Sequence, residues 1–236
     1  DLSSGRAIAD RVQVVVANGI ASPDLARRLA RELDVEYAVV DERRHRLTAP
    51  NDPLYAAGVP GNGPAVGQWY LRAPSGEVQS SIDVETAWNY TTGTFGTLVA
   101  VVDTGVRFEH PDLLGVAAGG KLLPGYDMIS VAGVANDGDT RDSDASDPGD
   151  FITAAEANDR NGLLYQCTPI DPRTQQYLQE NSSWHGTQVS GIIGAITNNG
   201  SGMAGVGPNL RILPVRVLGK CGGYDSDIIA GIRWAA

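Results

Sequence analysis

The chain has 236 residues, the length of one large domain or of one domain with a small companion. Its 18 basic and 28 acidic side chains give a formal charge of −10, which opposes contact with phosphate backbones and argues against a nucleic-acid partner. No run of residues approaches the roughly 20 apolar positions that a membrane-spanning helix needs, so we expect no membrane span.

The distribution of charge changes near residue 48. Residues 1–48 carry as many arginines as acidic residues, whereas residues 49–236 hold the whole acidic excess. Such a shift in composition predicts a domain boundary, with 1–48 and 49–236 as the two parts.

The first part predicts a small β-α-β unit. Residues 11–16 are rich in valine and predict a strand. Ser22 has the chemistry of a helix N-cap, and leucines at a spacing of four continue the helical pattern to Leu33. Residues 35–40 return to β-branched and aromatic side chains and predict a second strand. A unit of this size is marginally stable by itself.

The second part begins with a proline- and glycine-rich segment, 51–67, which predicts an extended surface chain. A short helix is expected at 82–88. The apolar run 97–102 predicts a central parallel strand that is buried on both faces. Residues 115–180 are polar and glycine-rich with little periodicity, which is typical of a functional insertion.

Regular patterns return after this insertion. They predict a buried helix at 186–196, a strand at 210–218 and a final helix at 226–236. The alternation of strands and helices predicts an α/β fold, with a parallel sheet flanked by helices.

Two residues stand where such a fold collects functional groups. Asp103 follows the strand at 97–102 directly, and catalytic groups gather at the carboxyl ends of parallel strands. His185 begins a helix of small residues, from whose end an imidazole can reach a cleft. An isolated aspartate after a strand is more often a turn former, and an isolated histidine is more often structural. The two together indicate a catalytic pair.

The segments around this pair resemble the subtilisin-like serine proteases, or subtilases. The block at 101–113 is similar to the one around the family's catalytic aspartate, and the block at 185–194 is similar to the one around its catalytic histidine. Two further blocks, 203–208 and 215–219, are similar to the segments that follow in the family. Gln188 departs from the pattern, since the family more often has a second histidine there, but that position is not the base.

This resemblance implies how the chain is divided. Residues 49–236 would be the N-terminal part of a subtilisin-like catalytic domain. Residues 11–46 resemble the second half of the family's inhibitory propeptide, so 1–48 would be a small α+β propeptide remnant of a secreted zymogen. The maturation cut would fall between Thr48 and Ala49. An ordinary amino-terminal subdomain of the mature enzyme is the alternative.

The activity that the resemblance implies is that of a serine endopeptidase acting on proteins or peptides. Asp103 would orient His185, which would take the proton of a nucleophilic serine. The sequence has no Gly-Thr-Ser-Met-Ala block, so we expect the serine on a C-terminal remainder of the catalytic domain, outside these residues. The similar stretch 200–204 stands where the family has a loop.

Two other functions remain open. A catalytically inactive, subtilase-like binding or inhibitory module would keep the fold without the serine. A metal hydrolase could use the aspartates and histidines, but the 3 histidines lack an HExxH or His-x-His spacing.

The residues after the last strand are the expected substrate contact. By resemblance, they form the edge to which the substrate backbone adds by β-augmentation. Gly219, Gly222 and Gly223 would let the substrate backbone approach closely. Leu218 would line the pocket for the substrate side chain that lies two residues before the cleaved bond. A plain glycine turn is the alternative.

The sequence has 2 cysteines, Cys167 in the insertion and Cys221 in the expected substrate segment. In an exported protein such a pair commonly forms a disulfide, which would contribute about 4 kcal/mol on the chain-entropy model. Two unpaired thiols are the alternative.

An acidic run lies at 137–150. Hard cations require several oxygen ligands on a flexible loop. Subtilases commonly bind calcium in surface loops, so the resemblance implies a structural calcium in this run, although it lacks the bidentate glutamate of an EF-hand. A solvated acidic loop is the alternative. The candidate ligands are Asp137, Asp139, Asp142 and Asp144.

Overall fold

The computed structural model describes residues 2–41, 49–56, 67–76 and 79–236. The chain divides into two compact units, Asp1–Arg46 and Leu47–Ala236. Among the described residues, no helix combines the length and the apolar character that crossing a membrane requires.

The first unit is a β-hairpin followed by a helix. Strand β1 (Leu2–Ala9) pairs antiparallel with β2 (Val12–Ala17), and helix α1 spans Ser22–Leu29. A two-residue turn joins the strands, and Arg11 adopts a positive φ of 63° there. A tight hairpin turn of this kind requires a positive φ, so the turn sets the antiparallel pairing.

The predicted β-α-β order of this unit is therefore wrong. Residues 35–40 form no strand, and the second strand of the unit is β1, which the sequence analysis missed. The serine-rich start of β1 lacks a strand pattern, and its pairing comes from the adjacent β2 through the short turn. The helix begins at Ser22, with Ala21 as its N-cap, and it ends before Leu33, which is fully exposed.

The second unit is an α/β structure built on a parallel sheet of three strands. Short 3₁₀ turns lie at Trp69–Leu71 and Val116–Ala118. The longer elements, in chain order, are α2 (Pro53–Ala56), α3 (Val84–Trp88), β3 (Leu98–Asp103), β4 (Tyr126–Asp127), α4 (Ala132–Ala135), α5 (Ala154–Asn158), α6 (His185–Gly194), β5 (Arg211–Arg216) and α7 (Asp225–Ala235).

The three strands run in the order β3-β5-β4, and both pairings are parallel. In the part of the chain that the structure describes, β5 is the middle strand and β3, predicted to be central, lies at the edge. The register aligns Asp103 of β3 and Asp127 of β4 with the same residue, Arg216 of β5. The carboxyl ends of the strands therefore bring an aspartate, an arginine and an aspartate side by side.

Helices cover both faces of this sheet. Val101 and Ile212 face α6 and pack with Val189 and Ile193 of that helix. Val102 and Val215 face α7, together with Ile228. Because successive side chains of a strand point to opposite faces, packing on both sides explains the apolar residues Val101 and Val102 at the end of β3, whereas Leu98 at its start is exposed. The predicted α/β class with flanking helices is confirmed.

The predicted insertion has structure of its own. Residues 115–180 contain β4, α4 and α5, together with a small core of Ile152, Ala157 and Leu164. Strand β4 has only two residues, and its pairing with β5 defines it, so no local pattern could reveal it. The segment predicted as extended chain includes α2 at 53–56, and its residues 57–66 lie outside the described part.

The buried side chain of Arg216 links the strand ends to the loops around them. Its guanidinium pairs with Asp127 and, at 2.6 Å, with Asp137, and it also donates to the carbonyl oxygen of Ala135. Its Nε donates to the carbonyl oxygen of Thr104 at 3.3 Å. Only 1% of Arg216 is exposed, and each of its three guanidinium nitrogens donates to a group of the protein itself.

Replacing this cation should destabilise the second unit. In Arg216→Met, two carboxylates lose their buried partner, and we expect the free energy of unfolding of the complete protein to fall by about 3–5 kcal/mol. Glu109→Gln breaks the exposed pair between Arg107 and Glu109 and should cost less than about 1 kcal/mol. Chemical denaturation measures both. Equal effects of the two substitutions would contradict the central role of Arg216.

Candidate active site

The structure brings Asp103 and His185 together. Nδ1 of His185 lies 2.9 Å from Oδ1 and 2.8 Å from Oδ2 of Asp103. The carboxylate is nearly buried, whereas 61% of the His185 side chain is exposed. A proton on Nδ1 would be donated to the carboxylate, which leaves the lone pair of Nε2 free to accept a proton from another group.

Strand β3 fixes the position of Asp103. Its carboxylate accepts the N–H of Thr104 at 2.7 Å, and its carbonyl oxygen accepts the N–H of Val217 at 2.8 Å. The parallel pairing with β5 fixes the direction in which the strand ends. Asp103 therefore stands on a rigid element, and its carboxylate is oriented before any ligand arrives.

Helix α6 begins at His185, and its first turn lies very close to the end of β3. A Cβ on Gly186 would lie 2.1 Å from the carbonyl oxygen of Gly105 and 3.2 Å from Cβ of Asp103. Only a residue without a side chain fits this space. The small residue after the histidine is thus what lets the imidazole reach the carboxylate.

The expected substrate segment folds as a turn. Gly219 and Gly222 exchange backbone hydrogen bonds of 2.9 and 3.0 Å, and the N–H of Lys220 donates to the carbonyl oxygen of Val134. A Cβ on Gly219 would lie 2.1 Å from that same oxygen. The absence of a side chain at Gly219 is explained by this packing, without a substrate.

The other predicted residues of this segment lie close by. Leu218 is half-buried and donates its N–H to the carbonyl oxygen of Asp103 at 3.2 Å, while Gly222 and Gly223 are exposed. The segment therefore adjoins the Asp103–His185 pair directly.

Two links join this turn to the insertion. Cys167 and Cys221 form a disulfide, with a Cα–Cα distance of 5.4 Å. The buried Nζ of Lys220 donates to Glu156 at 2.5 Å and lies 4.7 Å from the ring centre of Phe151. The hydrogen bond from Lys220 lowers the pKa of Glu156 to about 2. The carboxylate of Glu156 therefore stays ionised over the ordinary pH range.

The four aspartates predicted as calcium ligands do not converge. Asp137 pairs with Arg216, and Asp142 and Asp144 each accept a backbone N–H two residues further on. Among the residues that the structure describes, no group of three or more His, Cys, Asp or Glu side chains could hold a metal ion. In this structure Asp137, Asp142 and Asp144 are thus each bound to a protein partner rather than to one another.

Burial perturbs other carboxylates near the sheet end. Burial raises the pKa of Asp127 to about 7. The hydrogen bond from the N–H of Ile129 and the positive charge of Arg216 act in the opposite direction and lower this pKa. Burial also raises the pKa of Asp147, while the N–H of Gly149 and the hydroxyl of Thr104 oppose the shift. Both groups belong to the network that supports the end of β3.

Sequence reasoning missed several residues that support the pair. Thr104 donates its hydroxyl to Asp147 at 2.8 Å and accepts the N–H of Gly186 at 3.0 Å. Asp150 binds Ser183, two residues before His185. The arginine that ends β5, directly after the apolar residues 212–215, was a readable signal. The contacts of Thr104, Asp147 and Asp150, in contrast, join segments that are remote in sequence.

Several known proteins are similar to this chain. The model of the family described as "Subtilase family" matches residues 94–236. An extracellular basic protease of Dichelobacter nodosus is 40% identical over 208 residues, which cover 88% of this chain and 29% of that protein. An extracellular protease of Xanthomonas campestris pv. campestris is 38% identical over 212 residues, which cover 90% of this chain and 30% of that protein.

A solved structure agrees with these matches. It is titled "Proteases from Pseudoalteromonas arctica PAMC 21717" and superposes with a TM-score of 0.60 at 45% sequence identity, over 80% of this chain and 44% of that one. The chain spans about 30% of the length of the two curated relatives above. The family match covers more than half of the chain, and the predicted resemblance is confirmed: this chain belongs to the subtilase family.

Proposed function

We propose that the complete protein is a serine endopeptidase of the subtilisin type, which hydrolyses peptide bonds in proteins or peptides. The observation that carries the proposal is the contact between Nδ1 of His185 and both carboxylate oxygens of Asp103, at 2.9 and 2.8 Å. Membership of the subtilase family and the protease names of the relatives support it.

In this proposal, His185 is the general base and Asp103 orients it. Nε2 of His185 takes the proton of a serine hydroxyl as its oxygen attacks the scissile carbonyl carbon, and Asp103 stabilises the imidazolium that forms. His185 then gives the proton to the leaving amine. The serine belongs to a C-terminal remainder of the catalytic domain, outside these 236 residues.

The segment 218–223 is the proposed contact for the acyl side of the substrate. Leu218 is half-buried beside Asp103, and Gly222 and Gly223 are exposed, so an extended peptide has access to this face. Gly219 has a packing role against Val134 and supports the turn from beneath.

Secretion is part of the proposal. The two relatives cited above are named as extracellular, and the disulfide between Cys167 and Cys221 suits an oxidising compartment.

Substitution of the pair tests the activity. In the complete protein, His185→Ala and Asp103→Asn should each lower kcat by about 10⁴-fold or more, because the serine loses its base or the base loses its orientation. His110→Asn is the matched control and should change kcat by less than a few-fold. Steady-state kinetics on a peptide substrate measures all three.

Two results would contradict this proposal. Normal peptidase activity in His185→Ala would exclude His185 as the base. A complete, folded parent without any peptidase activity would favour the inactive binding or inhibitory module.

A structural calcium remains a proposal for the acidic run of Asp137, Asp139, Asp142 and Asp144. Two observations support it: subtilases commonly bind calcium, and these carboxylates are closely spaced in the sequence. A bound cation would have to draw the carboxylates together. Chelation should lower the thermal midpoint of the complete protein, and added calcium should restore it. Asp139→Asn should reduce this dependence on calcium. An unchanged midpoint after chelation, with no calcium in the purified protein, would contradict the site.

We propose that residues 1–48 are a propeptide remnant. The match to the Dichelobacter nodosus protease covers 88% of the chain, which is longer than Leu47–Ala236, so the similarity extends into the first unit. The proposed cut between Thr48 and Ala49 lies at the edge of 42–48, which are outside the described residues.

Amino-terminal sequencing tests this division. The mature, active protease should begin at or near Ala49. If the cut is autocatalytic, His185→Ala should keep residues 1–48 attached and provides the control. A stable and fully active form that still begins at Asp1 would make the first unit an ordinary subdomain of the enzyme.

A further inference from the structure

The turn of residues 147–150 lies beside the first turn of α6, at the end of the acidic run. Asp147 Oδ2 accepts the hydroxyl of Thr104 at 2.8 Å. Asp150 accepts the hydroxyl of Ser183 at 2.7 Å and the N–H of Ser183 at 2.6 Å. Each carboxylate of the 147–150 turn therefore holds the hydroxyl of a residue next to Asp103 or close to His185.

Both hydroxyls also accept a backbone N–H from the start of α6. Ser183 Oγ accepts the N–H of His185 at 3.2 Å, and Thr104 Oγ1 accepts the N–H of Gly186 at 3.0 Å. The first N–H groups of a helix have no partner within the helix. A hydroxyl has a single hydrogen, so once a carboxylate takes it, the lone pairs of the oxygen face the N–H.

The 147–150 turn is itself held firmly. Asp147 is 4% exposed, its N–H donates to the carbonyl oxygen of Val106 at 3.0 Å, and its Oδ1 accepts the N–H of Gly149 at 2.8 Å. Asn136 donates to the carbonyl oxygen of Gly149 at 2.8 Å. The turn is thus also held by the segments that follow β3 and α4, and not only by its contacts near α6.

We infer that Asp147 and Asp150 are positioning residues for His185. Through Thr104 and Ser183, they hold the consecutive N–H groups of residues 185 and 186, on the two sides of the Cα atom of His185. These two hydrogen bonds fix the direction in which the largely exposed imidazole projects from the helix. They thereby also fix its contact with Asp103. The inference rests on the proposed function, in which His185 is the base.

Substitutions at the Asp150–Ser183 link test it in the complete protease. Asp150→Asn and Ser183→Ala should each lower kcat about tenfold to a hundredfold with KM nearly unchanged, because a misplacement of catalytic groups by about 1 Å can cost a factor of 10². Since both substitutions break one link, the double variant should be no slower than the slower single variant. Ser183→Thr keeps the hydroxyl and should retain most of the activity.

The Thr104 link gives an independent comparison. Thr104→Val removes the hydroxyl at nearly constant volume and should lower kcat, whereas Thr104→Ser should retain it. Asp159→Asn is the matched control: Asp159 accepts the N–H of Asn161 at 3.0 Å in a similar local turn but has no link to α6. It should leave kcat within about twofold of the parent.

Several results would overturn the inference. The first is a kcat within twofold of the parent in both Asp150→Asn and Ser183→Ala, or a change in KM without a change in kcat. The second is a double variant in which the two losses of kcat are fully additive. The third is recovery of the activity of Asp150→Asn on addition of calcium, which would make the turn a metal site. An inactive parent, or a normally active His185→Ala, would instead contradict the proposed function. The results above therefore count against the inference, and not against the proposed function, when the parent is active and His185→Ala is inactive.

Discussion

The buried guanidinium of Arg216 is the contact on which the carboxyl edge of the sheet depends. It ends the middle strand and meets two carboxylates and two carbonyl oxygens, from Asp127, Asp137, Ala135 and Thr104. These partners come from β4, from the last residue of α4 and the loop that follows it, and from the residue after Asp103. A buried charge requires all of its partners, because an unpaired ion in the interior is strongly destabilising. One cation therefore ties the loops of the second unit to the strand that carries Asp103.

The first turn of α6 is held by backbone contacts, while 61% of the His185 side chain is exposed. The close approach of Gly186 to Gly105 sets the distance between α6 and β3. The hydroxyls of Thr104 and Ser183 then hold the first N–H groups of the helix. An arrangement of this kind leaves Nε2 accessible while Nδ1 is committed to Asp103, which is the geometry that a general base requires.

The acidic run has different roles at its two ends in this structure. Asp137 neutralises Arg216, and Asp142 and Asp144 stabilise local turns through backbone N–H groups. Asp147 binds Thr104, the residue after Asp103, and Asp150 binds Ser183, two residues before His185. The part of the insertion after residue 150 has its own small core and is joined to the turn at 219–222 by the disulfide and by the Lys220–Glu156 pair. A segment that reads as unpatterned loop is thus attached to the sheet at several points.

The sequence by itself determined the class of the fold, the main strands and helices of the second unit, and the pairing of Asp103 with His185 as a hypothesis. Apolar runs, small residues after a histidine and family-like blocks are local, so they can be read without the structure. The order of the strands, the two-residue strand β4 and the hairpin of the first unit required the tertiary structure. So did the roles of Arg216, Thr104, Asp147 and Asp150, because their partners are remote in sequence and only folding brings them within hydrogen-bonding distance. For the same reason, the sequence did not reveal that the fold turns the carboxylate of Asp137 to an arginine and those of Asp142 and Asp144 to backbone N–H groups.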